Sequence, residues 1–137
     1  MQVGIPRETL PGETRVAATP ETVRKLVQAG HQVRVERSAG TAARYRDSDY
    51  EQAGATLVDA ANALGSELVL KVRRPDAGEL ARMKSGTVLA GMLDPFDAEG
   101  LKNLADAGLT AFALEAAPRT TRAQSPDVLS SQANLAG

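Results

Sequence analysis

The side chains that could do chemistry in this sequence gather in two places. One is the segment 118–137, where Arg119, Arg122, Gln124, Ser125, Asp127, Ser130 and Ser131 crowd a loop and a helix start. The other is a set of charged residues that follow short apolar runs: Arg7, Glu8, Glu13 and Arg15, then Lys71, Arg73 and Arg74, then Asp94, then Glu115 and Arg119. These types offer hydrogen bonds and ion pairs. They do not offer a nucleophile with its base, because the one histidine, His31, sits between Gly30 and a strand start and reads as a surface turn residue. The chain has no cysteine, which excludes disulfides, thiol catalysis and thiolate metal sites.

Each candidate also has a plain structural account. Arg7 and Arg15 can pair with Glu8 and Glu13 as solvated loop charges, the account that spacing alone favours. Lys71 ends a buried run, where it can either snorkel to water or hold a ligand. Ser125 and Asp127 are sufficiently explained as a helix cap and its dipole partner. No G-x-G-x-x-G follows a strand, and there is neither a Walker lysine motif nor a G-x-S-x-G elbow.

The elements that must position these residues alternate in kind. Gln2–Ile5, 32–36, 56–58, 68–72, 87–90 and 109–114 read as strands. Thr19, Pro20 and Glu21 open a helix with a Val23, Leu26, Val27 stripe, ended by Gly30. Ser48 to Glu51 resembles a capping box, ending near Gly54. Asp76 to Glu79 opens a helix with Leu80 and Met83 inward, Asp97 opens one with Leu101, Leu104 and Ala105 inward, and Ser125-Pro126-Asp127 opens a last one. Residues 38–43 read as a loop. Alternating strands and helices predict an α/β fold: a Rossmann-like or flavodoxin-like three-layer sandwich with a mainly parallel sheet. Ligands in such sheets bind beyond the carboxyl ends of the strands, where the charged residues fall.

The 137 residues suffice for one domain, and their hydrophobic content of 42% and charged content of 24% are ordinary for a globular chain. A formal net charge of −1 carries no nucleic-acid footprint. No apolar run approaches membrane-span length, and residues 1–6 lack a signal-peptide pattern, so a cytoplasmic location is the default expectation.

Two stretches carry a family resemblance. Gly4-Ile5-Pro6-Arg7-Glu8, followed by Gly12-Glu13-Thr14-Arg15-Val16-Ala17-Ala18-Thr19-Pro20, resembles the N-terminal signature of the alanine dehydrogenase/pyridine nucleotide transhydrogenase family. Pro118-Arg119-x-x-Arg122-Ala123-Gln124-Ser125-x-Asp127-x-Leu129-Ser130-Ser131-Gln132-x-Asn134-Leu135-Ala136-Gly137 is similar to the transhydrogenase branch, whose alpha subunit carries the NAD(H) site. The likeness covers the whole chain, with Leu70-Lys71-Val72 and Pro75 fitting between the two motifs.

The resemblance implies a component with two Rossmann-like subdomains and the nucleotide between them. Residues 1–137 then form the first, and the dinucleotide-binding Rossmann subdomain lies outside the chain. It implies hydride transfer between NAD(H) here and NADP(H) on a beta-subunit domain, coupled to proton movement through a membrane domain, in a homodimer peripheral to the inner membrane. It implies that Arg119, Gln124, Ser125, Asp127 and Ser130 line the nicotinamide, with Gln124 and Asp127 nearest the reaction. Arg15 and Lys71 match the substrate-holding arginine and lysine of alanine dehydrogenases, but the catalytic histidine of those enzymes falls near Asp94, which favours transhydrogenase. The alternatives are an amino-acid dehydrogenase that tolerates that loss and a non-catalytic interaction module. Isolated, the chain is expected to be inactive in hydride transfer.

Overall fold

The structure is a computed structural model that describes residues 1–93 and 98–113. Six strands form one sheet: β1 (Gln2–Ile5), β2 (Gln32–Glu36), β3 (Thr56–Val58), β4 (Leu68–Arg73), β5 (Val88–Met92) and β6 (Thr110–Ala113). Every pairing is parallel, and the order is β3-β2-β1-β4-β5-β6. Among the described residues the strands are connected by helices α1 (Pro20–Gln28), α2 (Asp47–Gln52), α3 (Ala60–Leu64), α4 (Ala77–Arg82) and α5 (Ala98–Asp106). The expected α/β class and parallel sheet are therefore present, in the strand order of doubly wound nucleotide folds.

The helices divide between the two faces of the sheet. Val3, Ile5, Val33 and Val35 pack on one face against Val23 of α1 and Tyr50 of α2, with Ala53 just beyond it. Val69 and Leu89 pack on the other against Leu64 of α3, Met83 at the end of α4 and Leu104 of α5. Burying each such aliphatic side chain stabilises the fold by about 1.5–3 kcal/mol, before the entropy of ordering it is subtracted. On the α3 face the sheet and helix backbones nearly touch: a Cβ at Gly4 would strike the Ala63 carbonyl. The Tyr50 hydroxyl, fully buried, donates to the Ala18 carbonyl at 2.8 Å and pins α2 to the segment entering α1.

Local chemistry explains most boundaries. The Thr19 hydroxyl accepts from the Thr22 N–H at 3.2 Å, with Pro20 in the first turn. Asp76 and Glu79 form a reciprocal capping box at α4. Four expectations need correction. Helix α2 starts at Asp47, not after Ser48, because Asp49 turns back to accept the Arg46 N–H at 2.8 Å. Helix α3 has no counterpart in the sequence reading; Asp59 caps it by accepting the Asn62 N–H. The 38–43 loop contains a 3-10 turn at Thr41–Ala43. Ala105, expected inside α5, is exposed, while Leu104 and, partly buried, Leu101 pack on the core. The expected Asp97 cap and the helix opened by Ser125 lie outside the described residues.

Candidate functional site

In this strand order β1 lies between β2 and β4, so the connections leaving β1 and β4 diverge and open a crevice at their carboxyl ends. Pro6 ends β1 because it has no N–H for the ladder. Two residues on, the Glu8 side chain takes over. Its Oε2 accepts the Val72 N–H at 2.9 Å and its Oε1 the Arg73 N–H at 3.0 Å. A carboxylate thus stands in for a neighbouring strand, where the register between β4 and β5 shifts after Leu70. That shift brings the Lys71 carbonyl against Gly91, where any side chain on β5 would collide with it.

Lys71 does not snorkel. Its side chain is 1% exposed, and Nζ lies 2.8 Å from Glu79 Oε2 and 3.3 Å from Glu8 Oε1. Two buried carboxylates therefore enclose one ammonium, the pairing that a buried charge requires. The second oxygen of Glu79 accepts the Asp76 N–H at 3.1 Å, so the cap of α4 and the clamp on Lys71 are one structure. Asp76 is tied back to the first loop through Thr9 Oγ1 at 3.4 Å.

Nearer solvent lies a second cluster. The Glu13 carboxylate accepts from Arg15 Nε and Nη2 at 2.9 Å each, from the Arg15 backbone N–H at 2.9 Å and from Arg73 Nε at 2.8 Å. The Arg15 guanidinium first, then the Arg15 N–H and the Arg73 guanidinium, hold the Glu13 carboxyl well below the usual carboxylate range. Arg15 in turn is held further toward its charged form, chiefly by Glu13. Arg15 Nη1 points at the Met92 sulfur, 3.9 Å away at the end of β5. The Glu13 side chain is 4% exposed, against 52% for Arg15 and 46% for Arg73.

Of the site residues expected from the sequence, Arg15 and Lys71 come to the same sheet edge, one at its mouth and one in its floor. The expected Arg15–Glu13 pair is present. Glu8 pairs with Lys71 and β4 rather than with Arg7, whose backbone N–H goes instead to Glu36 Oε1 at 2.9 Å. Arg119, Gln124, Ser125, Asp127, Ser130 and Asp94 lie outside the described residues. Sequence reasoning missed Glu79. An acid in the first turn of α4, shortly after a lysine in an apolar strand, was the available signal, since such a lysine must find a partner inside.

This crevice differs from a dinucleotide cradle. There the first turn is glycine-rich and an acid at the end of β2 holds a ribose. Here residues 6–19 form a long loop folded onto β4, and Glu36 at the end of β2 is engaged by Arg7. Among the described residues no three His, Asp or Glu side chains group to hold a metal, and no helix is long and apolar enough to cross a membrane. A cavity of about 520 Å³ opens between α4 and α5, lined by Arg74, Asp76, Leu80, Gly100 and Asn103 among others.

The pattern described as the alanine dehydrogenase/PNT N-terminal domain matches residues 4–136. The chain belongs to this family. Among relatives of this alanine dehydrogenase/PNT domain, the NAD(P) transhydrogenase subunit alpha of Haemophilus influenzae is 39% identical over 138 residues, which cover 100% of this chain and 27% of that subunit. The crystal structure of a transhydrogenase from Sinorhizobium meliloti is 48% identical, with a TM-score of 0.83 over 98% of this chain and 39% of that one. An alanine dehydrogenase of Halomonas elongata is 42% identical over 118 residues, covering 84% of this chain and 32% of that enzyme. The alanine dehydrogenase/PNT domain described here thus spans under two-fifths of each of these relatives.

Proposed function

We propose that the chain is the N-terminal portion of the NAD(H)-binding component of a proton-translocating NAD(P) transhydrogenase. The observation that carries this reading is extent. Similarity to the Haemophilus transhydrogenase subunit runs through 100% of the chain, including the polar motif 118–137, whereas similarity to the Halomonas alanine dehydrogenase covers 84%. The lack of a dinucleotide cradle at the β1–β4 crevice supports placing the nucleotide-binding Rossmann subdomain in the portion of the relatives that these residues do not span.

Bound NAD(H) would supply the hydride, and NADP+ held by the beta subunit would accept it. This chain's residues would then orient and shield. Gln124 carries both donor and acceptor groups and suits a carboxamide or ribose hydroxyl, and Arg119 offers fixed donors to the carboxamide. Asp127 and Ser130, three residues apart in the expected helix start, can face one cleft, with Ser125 capping that turn. No proton needs to move at these atoms, so orientation and exclusion of water are their contribution. The reading includes a homodimer and attachment to the inner membrane through a separate membrane domain.

The test is an NADH titration followed by nucleotide fluorescence. The isolated chain is expected to bind weakly or not at all, and the whole component tightly; tight binding by the chain alone overturns the placement of the cradle. In the parent protein, NADH-driven reduction of NADP+ is expected. Alanine-dependent reduction of NAD+ in its place would assign the chain to the dehydrogenase branch.

A further inference from the structure

Glu8, Glu13, Arg15 and Lys71 take no part in lining the cavity between α4 and α5. Its volume, about 520 Å³, falls within the range of about 300–1,000 Å³ that small-molecule sites occupy. Small residues on both walls keep it open. Ala77 lines it from α4 and Gly100 from α5, and a Cβ at Gly100 would strike the Arg74 guanidinium laid over that turn. The floor is apolar. Leu104 is fully buried there, while Leu80 packs only partly on the core and also lines the opening.

The charged side chains of the lining are Arg74, Asp76 and Asp106, a net of one negative charge. Asp76 is committed on both oxygens, to the Glu79 N–H at 2.8 Å and to Thr9 Oγ1 at 3.4 Å. Asp106 is not: among the described residues no ion pair engages it. It is the last residue of α5, where the terminal carbonyls add negative potential and favour a cation. Asn103 lies three residues earlier on the same helix face and brings an amide oxygen as a second acceptor. Acceptors beside an apolar floor suit a ligand with a cationic head and an apolar body.

We propose that the α4–α5 cavity binds a small organic ammonium ion, its head held by Asp106 and Asn103 and its aliphatic body lying on Leu80 and Leu104. Charge complementarity selects the head, because an anion would meet Asp106 and the carbonyl end of α5 together. The apolar floor selects the body, because each methylene moved onto it from water adds affinity. The site rests neither on the hydride-transfer reading nor on the β1–β4 crevice. Its test uses no nucleotide, so either can fail without the other.

The experiment titrates the isotope-labelled chain with n-butylammonium chloride and, separately, with sodium butyrate and ammonium chloride. The signals followed are the Asn103 side-chain amide and the Leu80 and Leu104 methyls. Saturable shifts of all three are expected with n-butylammonium. Butyrate keeps an apolar tail and reverses the charge, ammonium keeps the charge and lacks the tail, and each is expected to bind about tenfold more weakly or worse. Ala77→Leu fills the cavity from an exposed position of α4 and should weaken binding by about tenfold or more. Asp106→Asn removes a charge from a helix end that disfavours it, so the fold is kept, and binding should fall about fivefold. Glu51→Gln removes a negative charge from the exposed surface of α2, on the other face of the sheet, and should change binding by less than about twofold. The proposal is overturned if n-butylammonium gives no saturable shift, if butyrate binds as tightly, if Ala77→Leu leaves the affinity unchanged, or if Glu51→Gln weakens it as much as Asp106→Asn.

Discussion

Glu8 accepts the backbone N–H of Val72 at 2.9 Å across a separation of 64 residues, so a side chain of the first loop completes the edge of the fourth strand. The same carboxylate serves Arg73 and Lys71, which concentrates three dependencies in one group. Glu8→Ala should destabilise the fold by about 2–4 kcal/mol, because it leaves the Val72 and Arg73 N–H groups without an acceptor and Lys71 with Glu79 alone. Glu8→Gln keeps an acceptor oxygen and should cost less. Urea unfolding of the two variants measures the difference; equal costs would show that a neutral acceptor oxygen contributes nothing in place of the Glu8 carboxylate.

Two glycine substitutions should act with opposite sign. Gly91→Ala drives a Cβ into the Lys71 carbonyl, which is backbone and cannot rotate away, and should cost about 1–3 kcal/mol. Gly78→Ala places a methyl inside α4, 3.4 Å from Asp76 Oδ1 and within ordinary contact. It should stabilise by about 0.5–1 kcal/mol through helix propensity. Melting temperatures of the pair decide the matter.

Burial pushes the Tyr50 phenol up to about 12, with smaller contributions from Tyr45, Asp49 and Asp47. A phenol raised in the folded state contributes stability below its ordinary pKa of about 10, and that stability is lost as pH climbs toward 12. Tyr50→Phe should remove this alkaline loss and cost about 1 kcal/mol at neutral pH through the hydrogen bond to Ala18. Ultraviolet titration of tyrosinate reads the first effect and urea unfolding the second.

Glu13 acts at the other end of the pH scale. Its carboxyl is held low by Arg15 and Arg73, so its contribution is complete above the ordinary carboxylate pKa of about 4.3 and fades as pH falls below that. The two arginines are half exposed, which limits the effect to under about 1 kcal/mol. The stability gap between the natural chain and Glu13→Gln should therefore be larger at pH 6 than at pH 3; a gap that is constant with pH contradicts the pairing.

The elements of the fold legible in the sequence are those whose causes are local. Thr19, Pro20 and Gly30 bound α1 because capping and chain reversal act over a few residues, and β1, β2 and β3 follow from short apolar runs between turn residues. Helix α3 was not legible. Its five residues, Ala60 to Leu64, carry no amphipathic period, and they are held by a close approach to Gly4 that only the assembled sheet supplies. The same division holds at the site. Glu13 and Arg15 are two residues apart, and their pairing could be anticipated. The Lys71 clamp joins three separate elements, and nothing near Lys71 in the sequence names Glu8 as its partner.

The two core clusters also have an order in time. The first draws its buried residues from Val3 to Ala55, and the second from Leu64 to Leu104. A ribosome adding about 5–20 residues per second therefore releases a three-stranded half that can condense around its own core while the rest is still being made. During that interval β1, the central strand of the finished sheet, is an outer strand with unpaired N–H and C=O groups. Such an edge invites pairing with a neighbouring nascent chain. The arrival of β4 closes it, so the interval between synthesis of β3 and β4 is the window in which this chain most needs a chaperone's protection.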